Sequence, residues 1–243
     1  KVGKDIDQIF LQGFVDNIRN SHSASGFMAH ALKDAQWWNG LSDFDYVNQQ
    51  SVFTQNMVRY TTPTFNGLKA SVQHSFGEVA GQTSQNKSDS ILVNYAVNNF
   101  TLAAGYKKVK DVFGDGYDNK LTYIGGTYTQ GPFKLAATYH KTKWSWDGGH
   151  DDTKTTEFGA AYTINPKLVA AVNYVSQKAE WDGSDKATIT SASLKYSLSK
   201  RTSLWTLASR TNNKNQQILG GNYVNALTNE KSNSYSLGVT HSF

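Results

Sequence analysis

The sequence predicts an all-β fold, an antiparallel barrel that crosses a membrane, and three observations carry that expectation. Tyr60, Tyr95, Tyr128, Tyr162 and Tyr196 recur at intervals of 35, 33, 34 and 34 residues, each closing a short alternating run ahead of a turn rich in Pro, Asn, Gly or Ser. A constant period of this size marks one supersecondary unit copied along the chain, here strand, turn, return strand and polar loop. The connections also fall into two sets: short ones such as Asn98-Asn99, Gly131-Pro132, Asn165-Pro166 and 198–201, and long polar ones such as 77–87, 143–152 and 212–231. Short turns at one rim and long loops at the other are the asymmetry of an outer-membrane barrel. Finally, the chain ends on an alternating strand, Ser234-Tyr-Ser-Leu-Gly-Val-Thr-His-Ser-Phe243, whose last residue is aromatic.

Composition agrees. The 243 residues contain no cysteine, 13% aromatics and only 38% hydrophobic residues, lean for a soluble core of this size. No window reaches 18 apolar residues, so no transmembrane helix is expected. A barrel strand needs only one apolar face of about 9–11 residues, which a mean hydropathy of −0.53 permits. The net charge of +5 is dispersed, giving nucleic-acid binding little support.

Eleven strands are predicted in order, at 51–62, 68–77, 88–97, 100–110, 120–130, 133–144, 153–163, 167–179, 187–198, 202–212 and 232–243. The fourth shows the pattern plainly. Phe100, Leu102, Ala104 and Tyr106 share one face while Thr101, Ala103, Gly105 and Lys107 share the other, because strand side chains alternate with period two. In the sixth, Phe133, Leu135, Ala137 and Tyr139 oppose Lys134, Thr138 and His140. The same split returns in 168–174, 188–198 and 235–243. In the first strand, Val58 and Tyr60 fall on the lipid side, which puts Arg59 with Met57 and Thr61 on the watery side. Arginine facing lipid at mid-depth costs roughly 2–4 kcal/mol, so parity and energy agree. Lys107, Lys195 and Arg210 are read on the same watery face, as a basic track. Residues 5–50 lack clean alternation and are too long for an ordinary connection.

Lys1-Val-Gly-Lys4, the long irregular segment, Val58-Arg-Tyr-Thr-Thr-Pro-Thr-Phe-Asn-Gly67 and the terminal Leu237-Gly-Val-Thr-His-Ser-Phe243 together resemble the general porins of Gram-negative bacteria, the betaproteobacterial branch in particular. The resemblance implies a sixteen-stranded barrel in the bacterial outer membrane, with the third external loop folded inside. Residues 1–4 would end the fifth strand and 5–50 would be the infolded constriction loop. The eleven strands would be the sixth to the sixteenth, the earlier ones being absent from this chain. It further implies a homotrimer set in outer-membrane lipid and lipopolysaccharide, passing ions and small hydrophilic solutes by passive diffusion. A substrate-selective channel is the alternative.

By the same resemblance, Lys4 and Arg59 correspond to basic wall residues of the pore neck. Asp43, Asp45 and, more distantly, Asp34 correspond to the acids of the infolded loop. Rings of fixed charge at a narrow neck set which ions pass, and opposed charges across it orient dipolar solutes. Asp43 and Asp45 also read as ordinary solvated loop acids. Such a channel needs no reacting group, so no catalytic residue, cofactor or metal site is expected. The six histidines offer no evident partner set of the kind a hydrolase requires.

Overall fold

The computed structural model describes residues 1–16, 53–77, 80–82, 84–112, 114, 116–181, 183–214 and 229–243. Asp34, Asp43 and Asp45 lie outside them. The elements are β1 (Val2–Ile6), α1 (Gln8–Val15), β2 (Phe53–Thr61), β3 (Leu68–Ser75), β4 (Ser88–Val97), β5 (Phe100–Val112), β6 (Tyr117–Gln130), β7 (Phe133–Trp146), β8 (Gly149–Asn165), β9 (Leu168–Trp181), β10 (Gly183–Ser197), β11 (Thr202–Lys214) and β12 (Lys231–His241). The strands form one antiparallel sheet in strict chain order, with β1 and β12 at its two edges.

The eleven expected strands are all present, and residues 1–4 do enter a strand, which runs on to Ile6. Two expectations change. The segment after β1 begins with a regular helix, α1. The stretch 143–152, expected as a long loop, is mostly paired: Lys143 faces Asp152, Trp144 faces Asp151 and Ser145 faces His150, leaving Asp147-Gly148 as the turn. Paired strands satisfy the backbone better than an open polar loop does, so the hairpin extends to its tip.

Side-chain exposure follows period two. On β2, Val58 and Tyr60 are 45% and 62% exposed while Met57 is 1% exposed. Phe100, Leu102, Ile124, Phe133, Leu135, Phe158, Val172 and Leu194 are exposed on that same face. Ser90, Lys107, Asn119, Thr138, His140, Asn173 and Gln177 are buried on the other. A sheet that is apolar outside and polar inside inverts the soluble pattern, as expected of strands standing between lipid and water.

The periodic tyrosines form a band beside the short turns. Tyr128 packs at a tilt against Phe100 with ring centroids 4.5 Å apart, and Tyr162 against Phe133 at 4.8 Å. Such cross-strand aromatic pairs hold register as well as marking the interface. The turns need left-handed backbone, with φ of 50° at Asn98 and 55° at Gly131, and Asn and Gly enter that region at least cost.

Gly67 is the tightest of these positions. Its φ is 83°, and a Cβ there would lie 2.0 Å from the Ala96 carbonyl oxygen, which also receives no room from the Ala96 N to Gly67 O hydrogen bond of 2.9 Å. Gly67→Ala is expected to destabilise the sheet by about 1–3 kcal/mol, read as a lower denaturant midpoint in detergent micelles. An unchanged midpoint would mean the turn relaxes freely.

Candidate functional site

The site is the docking of α1 on the polar face of the sheet. Asp7 starts the helix as its N-cap: Oδ1 accepts from the Ile9 amide at 3.0 Å, and its carbonyl accepts from the Leu11 amide at 3.0 Å. A capping carboxylate satisfies amides that have no partner within the helix.

Five successive strands then reach the segment 5–16. From β2, Arg59 donates to Asp5 Oδ2 at 3.0 Å and to the Ile6 carbonyl at 2.7 Å. From β3, the Ser71 hydroxyl donates to Gln8 Oε1. From β4, Ser90 Oγ accepts from Gln8 Nε2 at 2.8 Å. Lys107 on β5 meets Asp7 Oδ2 at 2.7 Å, and the Tyr123 hydroxyl on β6 donates to Asp16 Oδ2 at 2.6 Å.

An apolar plug sits among these polar contacts. Ile9, fully buried, packs with Leu92, Ala103, Leu121 and Tyr123. Wall residues are small where the helix comes closest. A Cβ on Gly105 would fall 3.1 Å from the Ile9 side chain, and one on Gly125 would fall 2.2 Å from the Tyr123 hydroxyl and 2.7 Å from Asp16 Oδ2. Thus the polar face carries a local core that exists only to seat α1.

Charge is handled in pairs. The Lys107 and Asp7 side chains are 5% and 0% exposed, and Thr54 Oγ1 adds a hydrogen bond to the same Asp7 oxygen at 3.2 Å. Arg59, with a side chain 10% exposed, is held flat by Gln73, whose Oε1 accepts from Nε at 2.8 Å and from Nη2 at 2.5 Å. The forked guanidinium spans Gln73, Asp5 and Ile6 at once, which a lysine could not do. Burial pushes the Asp16 carboxyl above the ordinary carboxylate range, opposed by the hydrogen bonds from Tyr123 and Gln12 and by the Lys134 charge.

Of the residues singled out in the sequence, Arg59 and Lys107 lie on the polar face, Arg59 bound to Asp5 and Ile6 at the end of β1 and Lys107 to the Asp7 cap of α1. Lys195 is on that face too, opposite Val169 and Trp205, half-buried and away from α1. Lys4 sits at the bulge between Gly3 and Asp5 and is exposed; it is Asp5 that meets Arg59.

Arg210 is a correction. It pairs with Thr190, which pairs with Tyr174, placing it on the outward face. The expectation failed because β11 is apolar on both sides, with Leu204 outward but Trp205 and Leu207 inward. A long arginine near the outer end of its strand can lift its head group to the interface.

Asp5, Asp7, Asp16, Gln8, Gln73 and Tyr123 were not singled out in the sequence. One signal was there to find: Asp7 before the apolar run Ile9-Phe10-Leu11 is an N-cap pattern.

The comparisons with known proteins agree with this architecture. A family model described as Gram-negative porin matches residues 13–216. No curated protein matches the chain by sequence. Among solved structures, the chain is similar to the anion-selective porin from Comamonas acidovorans, with TM-score 0.83 and 20% identity over 100% of this chain and 73% of that one. It is similar to the outer-membrane OmpT of Vibrio cholerae, with TM-score 0.67 and 14% identity over 99% and 75%. It is also similar to OmpF of Salmonella typhi in complex with daunomycin, with TM-score 0.65 and 17% identity over 98% and 73%.

Two outcomes follow from the docking geometry. Lys107→Met leaves Asp7 buried without its cation, a change that costs about 3–5 kcal/mol. Cleavage of the α1 segment by protease is expected to speed up, and Asp7→Asn in the same chain to recover part of the loss. Strictly additive effects would show that the two side chains are not coupled. Because docking raises the Asp16 value, its contribution is fullest below the ordinary carboxylate range and is lost as pH rises through the raised value. Amide-exchange protection of α1 should therefore fall across that window, and Asp16→Asn should flatten the dependence.

Proposed function

The chain belongs to the Gram-negative porin family, and from that premise we propose how its interior is used. It forms an outer-membrane channel for the passive diffusion of ions and small hydrophilic solutes. We read residues 5–50 as the constriction loop, entering the lumen through α1. The observation that carries this reading is the seating of the segment 5–16, with α1 at its centre, across the polar face of five successive strands, since a segment held there narrows whatever water-filled space the sheet encloses.

In this reading Arg59 is the fixed cation at the neck, with Lys195 nearer the short-turn rim of the wall and Lys4 contributing at the strand end. Asp34, Asp43 and Asp45 supply the opposing acids. The two wall cations nearest α1 are matched by acids, Arg59 by Asp5 and Lys107 by Asp7. A matched wall gives a transverse field with little net charge, and so a mild preference between ions. The Comamonas relative is named as anion-selective, and we assign this chain a weak bias of the same sign. The channel works as a homotrimer, its apolar faces set in lipid and lipopolysaccharide, and it performs no reaction.

Planar-bilayer conductance of the full-length protein under a salt gradient tests this. Openings are expected in steps of three, with a small reversal potential of anion sign. Arg59→Gln should move that potential toward cations, since it removes a guanidinium and unmasks Asp5. An unmoved potential would take Arg59 out of the neck. Openings blocked by one solute alone would point to a substrate-selective channel instead.

A further inference from the structure

We infer that the channel mouth at the short-turn rim is an anion-collecting vestibule, formed by Lys69, Lys134, Lys167, Lys195 and Arg201. It draws in small multivalent oxyanions, such as di- and tricarboxylates, and makes ion flow directional. The inference rests on the channel reading above and concerns a part of the wall away from the neck.

Acids and bases are segregated along the strands. The stretches 60–77, 90–110, 119–146, 158–179 and 186–229 hold no Asp or Glu, and each contains one short turn. Successive strands run in opposite directions, so these turns all lie at one rim. Bases farther from that rim are matched: Lys1 and Arg59 by Asp5, Lys107 by Asp7, Lys108 by Asp118 and Lys141 by Asp152. Among the described residues, none of the five bases near the rim makes an ion pair. Lys134 does feel one acid, the Asp16 carboxyl just past α1.

Parity aims the strand members into the lumen. Lys69 shares its face with Ser71 and Gln73, Lys134 with Thr138 and His140, and Lys195 with Ser191. Lys167 and Arg201 stand in turns that fix their backbones. The Lys167 amide donates to Asn165 Oδ1 at 2.9 Å, and its carbonyl accepts from the Ser197 amide at 2.7 Å. The Arg201 amide donates to Ser199 Oγ at 3.1 Å, and its carbonyl accepts from the Ser242 amide at 2.9 Å. All five side chains are exposed or half-buried, so their charges meet water and dissolved ions.

Spacing sets how they act. Lys69 on β3 and Lys134 on β7 are four strands apart, about 19 Å along the sheet, and Lys195 on β10 lies about 14 Å further. The Debye length is about 10 Å at 0.1 M salt and about 3 Å at 1 M. In dilute salt the separate fields therefore merge into one positive potential, and in strong salt they fall apart into isolated charges. The contact pairs at α1 are too close for salt to act on them in the same way. A basic mouth beyond a charge-matched neck concentrates anions at one end of the pore only, and a multivalent anion gains more than a monovalent one. Current driven one way starts from a mouth already filled with carriers; current driven the other way does not.

Bilayer recordings of the full-length protein at about 0.05 M and about 1 M salt test this. Wild-type currents at equal and opposite voltages are expected to differ about two-fold in dilute salt and to become equal in strong salt. Citrate should reduce the current when added to one chamber and leave it unchanged when added to the other. Lys69→Gln, Lys167→Gln and Arg201→Gln together should bring the current ratio to one and abolish the citrate effect. The charge-conserving set Lys69→Arg, Lys167→Arg and Arg201→Lys should keep both. Symmetric wild-type current in dilute salt, or a ratio that survives the triple glutamine variant, overturns the vestibule and leaves the channel standing. Absence of any opening removes the channel reading and the vestibule with it.

Discussion

A sheet one residue thick divides two solvents here, and nearly every feature follows from that division. Lipid offers no hydrogen bonds, so each strand in the hydrocarbon must satisfy its backbone through its neighbours. The strict antiparallel order β1 to β12 is the simplest chain path that does so. Side chains then have only two destinations. Phe133, Leu135 and Phe158 go to the apolar side, while Thr138, His140 and Asn173 go to the polar one.

The polar side does not stay uniformly polar. Leu92, Leu121 and Tyr123 break the pattern there and combine with Ile9 into a small core. Apolar residues on a wetted wall would be a cost unless something covered them, and α1 does. Around that core the Lys107–Asp7 pair and the Arg59 fork set the helix's position, since a buried charge pair tolerates little displacement before its energy turns unfavourable. The arrangement uses a different strand for nearly every contact with the segment 5–16.

The outward side is layered by depth. The lower aromatic band of Tyr128 and Tyr162 lies six or more residues along the strands from the lysine row at Lys141 and Lys154. From Phe133 to Lys141 the eight steps cover about 26 Å along the strand. With strands tilted by about 35–45° that is about 18–22 Å of depth, most of an outer-membrane apolar band of about 25 Å. Arg210 fits this layering, since it stands near the outer end of its strand on the lipid-facing side.

How much of this could be read beforehand differs between the two faces. Alternation, turn residues and the tyrosine period were enough to place all eleven long strands, the aromatic band and the inward direction of Arg59 and Lys107, because each is a local property with period two. The parity of Arg210 could not be read that way, since β11 is apolar on both sides and only its pairing with Thr190 settles the face. The same limit hid the partners of Arg59 and Lys107. Asp5 and Asp7 meet them across 54 and 100 residues of chain, and no local pattern encodes such a separation. A row of outward lysines is likewise invisible in sequence: Lys141, Lys154, Lys178, Lys186 and Lys214 have irregular spacing and stand opposite one another only through the register of four hairpins. Sequence by itself determined which way side chains point, because strand geometry is local; the tertiary structure alone decided which of them meet, because register and docking depend on the whole sheet.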